Sequence, residues 1–331
     1  MQAAFSLGSG KFDVHETARP DLLPGEALVR VVAAGICGSD KWDLARPDLP
    51  RRVAGHEFAG VVEAVADGKT DLLPGAAVAI EPTVGCGDCA ACRGGNYTAC
   101  RRAVSIGYGR PGGFAEYVAV PFGNLFPKPA ELSFVEASLA EPTAVALHAV
   151  GLAEVAERSC LVFGAGAIGL LVAQALQVRG AGAVWVVDVD ADHLRVAEQL
   201  GGIATINSTA DPALQVLQSV PVDVCFEAVG HIDSVLQAAV KVVRPFGTLV
   251  LLGFQHPGGL PTNPVVFKSL TVRGSNGRTV AEFQQGLRLL ASGHIRVGPL
   301  ISARYPLGAM EAAFAEARGA LKVVIEPQTI Q

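Results

Sequence analysis

The spacing of apolar positions changes character along this chain. Up to about residue 143, hydrophobic residues come in short runs broken by glycine and proline. Leu28 to Ala33, Gly60 to Val65 and Ala76 to Ile80 are runs of this kind. Pro24-Gly25 and Pro74-Gly75 set turns ahead of two of them. This pattern predicts short strands over 1–143. From about 144 to 283, strand-like runs alternate with helical patterns. Cys160 to Phe163, Ala183 to Val187, Val222 to Phe226 and Thr248 to Leu252 are the strand-like runs. Helical spacing separates them, as in Ala191 to Leu200. Such alternation predicts an α/β arrangement with a parallel sheet covered by helices. The last segment, 284–331, continues a helical stretch (Phe283 to Ala291) and ends in the strand-like run Leu321 to Ile325.

Near the first boundary, Ser133 and Glu136 have the spacing of a capping box. Glu141-Pro142 then puts proline where a helix would begin, its favoured first-turn position. Glu141 would stand at that helix mouth, with a surface cap as its plainest role. A chain of 331 residues has room for about two domains. Half of the residues are hydrophobic and 17% are charged, which argues for sizeable cores and against disorder. The formal net charge is -5, with no basic run, so nucleic acid and anionic membrane are not expected partners. No apolar stretch reaches membrane-spanning length and no signal pattern opens the chain, so a soluble cytoplasmic protein is expected. Seven cysteines, an odd number, fit a reducing compartment.

Four of those cysteines carry the strongest chemical signal. Cys86, Cys89 and Cys92 have two residues between neighbours, and Cys100 follows in the same polar, glycine-rich stretch. Four thiolates can close a tetrahedral shell around one zinc ion, and a closed shell builds structure without doing chemistry. Two disulfides or four buried cysteines are the alternatives. The loop is too polar to be core, and the absence of any sign of secretion argues against disulfides. Cys160 and Cys225 lie in apolar runs and are expected to be small core residues.

Gly164-Ala165-Gly166-Ala167-Ile168-Gly169 follows the apolar run that ends at Phe163 and opens a helical stretch. In a dinucleotide fingerprint the first glycine allows a tight turn. The second lets the backbone approach a pyrophosphate, and the third lets helix and strand pack closely. The helix N-terminus offers its unpaired N–H groups to the phosphates. Asp188 ends the next strand-like run, where an acid can accept hydrogen bonds from the adenosine ribose and repel the extra phosphate of NADP. NAD is therefore the expected cofactor. Arg195 stands several residues away in a helical pattern.

A second constellation is Gly35-Ile36-Cys37-Gly38-Ser39-Asp40 with Gly55-His56-Glu57. Thiolate, imidazole and carboxylate make a mixed shell suited to zinc with an open position. Such a zinc polarises a carbonyl or lowers the pKa of a bound alcohol or water. Beside a hydride-carrying cofactor, the two constellations make one reaction.

Together these residues resemble the zinc-dependent medium-chain alcohol dehydrogenases. The resemblance spans nearly the whole chain and adds the stretches Gly112 to Val118 and Glu141 to Ala149. Glu141 points to the polyol and threonine dehydrogenase branch. The resemblance implies a GroES-like, mainly-β catalytic domain over 1–143, with a structural zinc lobe at about 85–101. It implies an inserted, doubly wound Rossmann domain over 144–283, and a segment 284–331 that rejoins the first, with the active site between the two domains. It further implies two zinc ions per chain, the catalytic one held by Cys37, His56 and either Glu57 or Glu141. NAD would accept hydride from a secondary alcohol, a polyol or sugar alcohol above all, leaving a ketone. Ser39 would accept the alcohol's proton or hydrogen-bond the alkoxide. Gly253, Ser275 and Asn276 fall where cofactor-lining loops run in the family. A homotetramer is implied, with a dimer as the alternative.

One position departs from the family pattern. Many members carry a proton-relaying histidine where this chain has Trp42, which exchanges no proton near neutral pH. Zinc-bound water with Glu57 or Glu141 is expected to take over the relay, and Trp42 to be a pocket wall or simple packing. Arg278 is expected to be a solvated surface arginine, with contact to a polar substrate as the alternative. L-threonine or a diol is the alternative substrate. A zinc-independent reductase or a non-catalytic NAD-binding protein would be expected to lack some of Cys37, Ser39, His56 and the four-cysteine lobe.

Overall fold

The computed structural model describes every residue except Leu49, Lys69, 210–221, 255–256 and 329–331. The chain divides into two compact units. The first holds Met1–Glu141, Thr279–Gly293 and Leu300–Gln331; the second holds Pro142–Arg278 and His294–Pro299.

In the first unit, strands β1 (Gln2–Gly8) and β2 (Lys11–Glu16) form a hairpin, and β4 (Arg52–Val53) pairs with the other edge of β1. The main sheet is built on β3 (Glu26–Gly35), whose buried alanines and valines make it a central strand. β5 (Glu57–Val65) runs antiparallel beside it, followed outward by β6 (Ala77–Ile80) and β10 (Leu125–Pro127). β18 (Lys322–Glu326) and β17 (Ile301–Pro306) extend the other side, and β9 (Tyr117–Pro121) also pairs with β3. A short pair, β7 (Thr83–Val84) with β8 (Val104–Ser105), flanks the four-cysteine loop. Phe58, Phe114 and Phe314 fill a core shared by the two larger sheets.

Register does the positioning here. Gly35, the last residue of β3, lies opposite Glu57, the first of β5, and opposite Val324 of β18. The chain segments that carry Cys37, His56 and Lys322 therefore meet at one end of the sheet.

The second unit is a six-stranded, wholly parallel sheet. Its strands are β11 (Ser159–Phe163), β12 (Ala183–Asp188), β13 (Ala204–Asn207), β14 (Val222–Glu227), β15 (Val243–Leu251) and β16 (Thr271–Gly274). Their spatial order is β13-β12-β11-β14-β15-β16. This is the doubly wound order in which a dinucleotide sits outside the carboxyl ends of the strands. Helices Ala167–Val178, Ala191–Leu200 and Asp233–Val242 form the crossovers. The capping box at Ser133 is present: Ser133 Oγ accepts from the Glu136 N–H, and the Glu136 carboxylate accepts from the Ser133 N–H at 2.8 Å. Thr279 and Glu282 form another, ahead of helix Val280–Ala291. No helix among the described residues is long and apolar enough to cross a membrane.

Candidate active site and metal centres

Cys37 caps the short helix Gly38–Asp43, and its N–H donates to the Asp40 carboxylate at 3.0 Å. That bond buries Asp40 and turns its other oxygen toward His56, whose Nδ1 lies 3.5 Å away. Gly55 makes the turn into His56 with φ of +94°, and a Cβ there would strike the Phe114 ring at 2.7 Å. The Gly113 N–H donates to the Gly55 carbonyl and the Phe114 N–H to that of Ala54. The glycine-rich stretch from Gly112 thus clamps the turn that presents His56.

The ligand atoms of Cys37, His56 and Glu57 lie within 4.8 Å of one another. His56 is buried. Burial opposes its charged form, but the Asp40 carboxylate and Cys37 outweigh it and hold its pKa well above the ordinary value. Nδ1 faces the Asp40 carboxylate at 3.5 Å without a formed hydrogen bond, which leaves Nε2 as the nitrogen for a metal. A metal there has to displace a ring proton, so affinity rises with pH. The donor set fits zinc: one soft thiolate, one oriented imidazole and a carboxylate.

Glu57 has a partner that the sequence did not announce. Lys322, at the start of β18, places its ammonium 2.9 and 2.6 Å from the two carboxylate oxygens, and it also donates to the Ile36 carbonyl at 3.2 Å. Both residues are buried. Burial opposes the ammonium, but Glu57 and Cys37 hold its pKa up. Glu141, in the first turn of helix Ala140–Gly151, is also buried, which removes the surface-cap reading, and its charge reaches Lys322. Ser39 accepts a hydrogen bond from the Tyr108 phenol at 2.8 Å, and the Tyr108 ring lies 5.4 Å from that of His56. Tyr108 belongs to no motif noticed in the sequence; only the folded turn before Arg110 brings it here. Trp42 is 53% exposed, so it is not core packing.

The four-cysteine loop also converges. The sulfurs of Cys86, Cys89, Cys92 and Cys100 lie within 4.8 Å of one another, and none is in a disulfide. Cys89 caps helix Ala90–Arg93, its sulfur accepting from the Cys92 N–H at 3.4 Å. Backbone donors lower Cys100 to about 6, whereas burial raises Cys92 to about 11. Four sulfurs at this separation suit a closed tetrahedral zinc site.

In the second unit, the glycine fingerprint forms the turn between β11 and helix Ala167–Val178. Gly164 has φ of +100°, and Gly166 caps the helix with open space where a side chain would project. A Cβ on Gly169 would lie 1.8 Å from the Gly164 carbonyl, so only glycine fits. Ala167 and Ile168 begin the helix. Asp188 closes the turn, accepting the Ala165 N–H at 2.5 Å and the Val189 and Asp190 N–H groups at 2.7 and 2.9 Å. Arg195 is paired with Asp192. The Gly253 N–H donates to the Glu227 carbonyl at 3.0 Å, and Ser275 follows the end of β16. Ser275 Oγ is buried with no hydrogen-bond partner among the described residues. Asn276 is exposed. Cys160 and Cys225 are fully buried core residues, and burial pushes the Cys160 thiol up to about 12. Arg278 is buried, not solvated, which corrects the expectation of a surface arginine.

Two family descriptions match this chain: the alcohol dehydrogenase GroES-like domain over 23–130 and the zinc-binding dehydrogenase over 167–292. The chain belongs to the zinc-binding alcohol dehydrogenases. An L-threonine 3-dehydrogenase of Bacillus subtilis (strain 168) is 32% identical to this family member over 312 residues, 90% of each chain. A galactitol 1-phosphate 5-dehydrogenase of Escherichia coli (strain K12) is 33% identical over 321 residues, 92% of each. A solved structure from Sinorhizobium meliloti 1021, bound to NADP, superposes with a TM-score of 0.89 at 31% identity, covering 98% of this chain and 99% of that one. Membership supports the alcohol and polyol dehydrogenase function expected from the motifs. Its GroES-like and Rossmann parts are the mainly-β sheets and the parallel sheet described above.

Proposed function

We propose that this chain oxidises a secondary alcohol, a polyol or sugar alcohol above all, to the ketone, with NAD as hydride acceptor. The observation that carries this reading is the convergence of Cys37, His56 and Glu57, with Ser39 two residues after Cys37 in the same motif. Zinc there would polarise the substrate hydroxyl and stabilise negative charge on its oxygen. Cys37 and His56 would hold it, with Asp40 fixing the imidazole. Glu57 is tied to Lys322 through both oxygens as a neutral pair. Either Glu57, whose carboxylate converges with Cys37 and His56, or Glu141, whose charge also reaches Lys322, would complete the protein ligands. Ser39 would hydrogen-bond the reacting oxygen. The substrate gives up one proton and one hydride, leaving ketone, NADH and H⁺. Because Trp42 carries no exchangeable base, zinc-bound water with Glu57 or Glu141 would pass the proton outward.

The carboxylate of Asp188, with Asp190 capping the next helix and Arg195 engaged by Asp192, supports NAD over NADP. The NADP in the Sinorhizobium meliloti structure makes this the choice to measure. Gly253, Ser275 and Asn276 would line the cofactor, and the four cysteines would hold a structural zinc. The odd number of cysteines, none of them in a disulfide, supports a cytoplasmic enzyme, and the exposed Val266 and Phe267 support self-association into a tetramer or dimer.

The test is reduced-cofactor formation from NAD and NADP over sugar alcohols, their phosphates, short diols and L-threonine, with and without a zinc chelator. Chelator-sensitive turnover of a polyol with NAD is expected. Turnover that survives removal of both zincs would sink the zinc-dependent reading. Faster turnover with NADP would sink the role given to Asp188, and a clear preference for L-threonine would replace the polyol.

A further inference from the structure

Ser39 is the one hydroxyl beside the candidate zinc ligands in its motif, and its orientation is not free. The phenol of Tyr108 lies 2.8 Å from Ser39 Oγ. A phenol is a far stronger acid than an aliphatic alcohol, so Tyr108 donates and Ser39 accepts. The turn that carries Tyr108 is rigid: the Gly107 N–H donates to the Arg110 carbonyl at 2.8 Å, and the N–H groups of Tyr108, Gly109 and Arg110 all reach the Ser105 carbonyl. A Cβ at Gly107 would come within 2.9 Å of the Gly55 carbonyl, so the turn is packed on the segment that presents His56. The Arg52 guanidinium lies over the Tyr108 ring, 4.8 Å from its centroid, a cation–π contact that helps hold the ring.

A serine hydroxyl has one proton and two lone pairs. With one lone pair taken by Tyr108, its own proton is directed away from the phenol. The donated bond also polarises that O–H, making it a better donor to a third group. We propose that Tyr108 is a positioning residue, which pins the Ser39 hydroxyl so that the serine proton faces the reacting oxygen of the substrate. The inference rests on the reading of Ser39 as the group that touches that oxygen.

A double-mutant cycle tests it. Tyr108→Phe keeps the ring and loses only the donor. It is expected to lower kcat about 3- to 10-fold, the factor carried by one neutral hydrogen bond. KM for NAD and the zinc content should be unchanged. In a Ser39→Ala background, Tyr108→Phe should have no further effect on kcat. The same cycle read as melting temperature in the zinc-loaded protein should be non-additive, which keeps the test informative if a variant is inactive. Full kcat in Tyr108→Phe, or additive losses in both readouts, overturns the proposal while leaving Ser39 in its role. Full kcat in Ser39→Ala overturns it by removing its premise, and that result is distinguishable because it falls on the Ser39 variant alone.

Discussion

Ser9 sits exposed at the tip of the β1–β2 hairpin with φ of 51°, and Gly10 beside it has φ of 70°. A two-residue hairpin loop with both residues in the left-handed region is the type whose twist matches the strands, and it favours Asn-Gly. Serine lacks asparagine's tolerance of that region. Ser9→Asn is therefore expected to stabilise the protein by about 0.5 kcal/mol, seen as a raised denaturant midpoint at unchanged slope. An unchanged or lowered midpoint would show that the Ser9 N–H bond to the Arg46 carbonyl, and not the residue's own preference, sets this turn. The same scale explains the buried Arg278 and the buried Glu141, since burial depends on what packs over a side chain, which local sequence does not contain.

At the scale of elements, the Lys322–Glu57 pair joins β18 to β5 across the end of β3. Removing one partner of a buried ion pair leaves a charge with no compensation and costs about 3–5 kcal/mol. Lys322→Met should thus lower the melting temperature strongly in chelated protein. Adding Glu57→Gln should recover most of that loss, because a neutral pair no longer demands a counter-charge. If the double variant is no better than Lys322→Met alone, the lysine stabilises by packing and not by charge. The pair also shows the limit of motif reading: Glu57 lies in a recognisable motif, but its partner is 265 residues away and is supplied by strand register.

For the whole molecule, the outermost strand β16 and helix Thr262–Phe267 leave an apolar face uncovered, with Val266 71% and Phe267 87% exposed. Exposed apolar surface beside an unpaired strand edge favours association. Phe267→Glu should shift the sedimentation profile to smaller species, with the lobe's zinc retained. Identical profiles for the two proteins would place any assembly elsewhere. The chain leaves the first unit at Glu141 and returns at Thr279, so residues distant in sequence build the same sheet.

The sequence by itself determined the chemistry that depends on local spacing. The four cysteines lie within one loop, and the glycine fingerprint sits in one strand-to-helix turn, so a few bond lengths bring their parts together. Strand and helix periods likewise located β3, β5, β11, β12 and helix Ala191–Leu200, because burial of one face imposes its rhythm on neighbouring residues. Only the tertiary structure decided what depends on register and packing. It set Gly35 opposite both Glu57 and Val324, brought Lys322 to Glu57 and Tyr108 to Ser39, and buried Glu141. These pairings join segments whose separation carries no periodic signal, and they exist only once the sheet has closed.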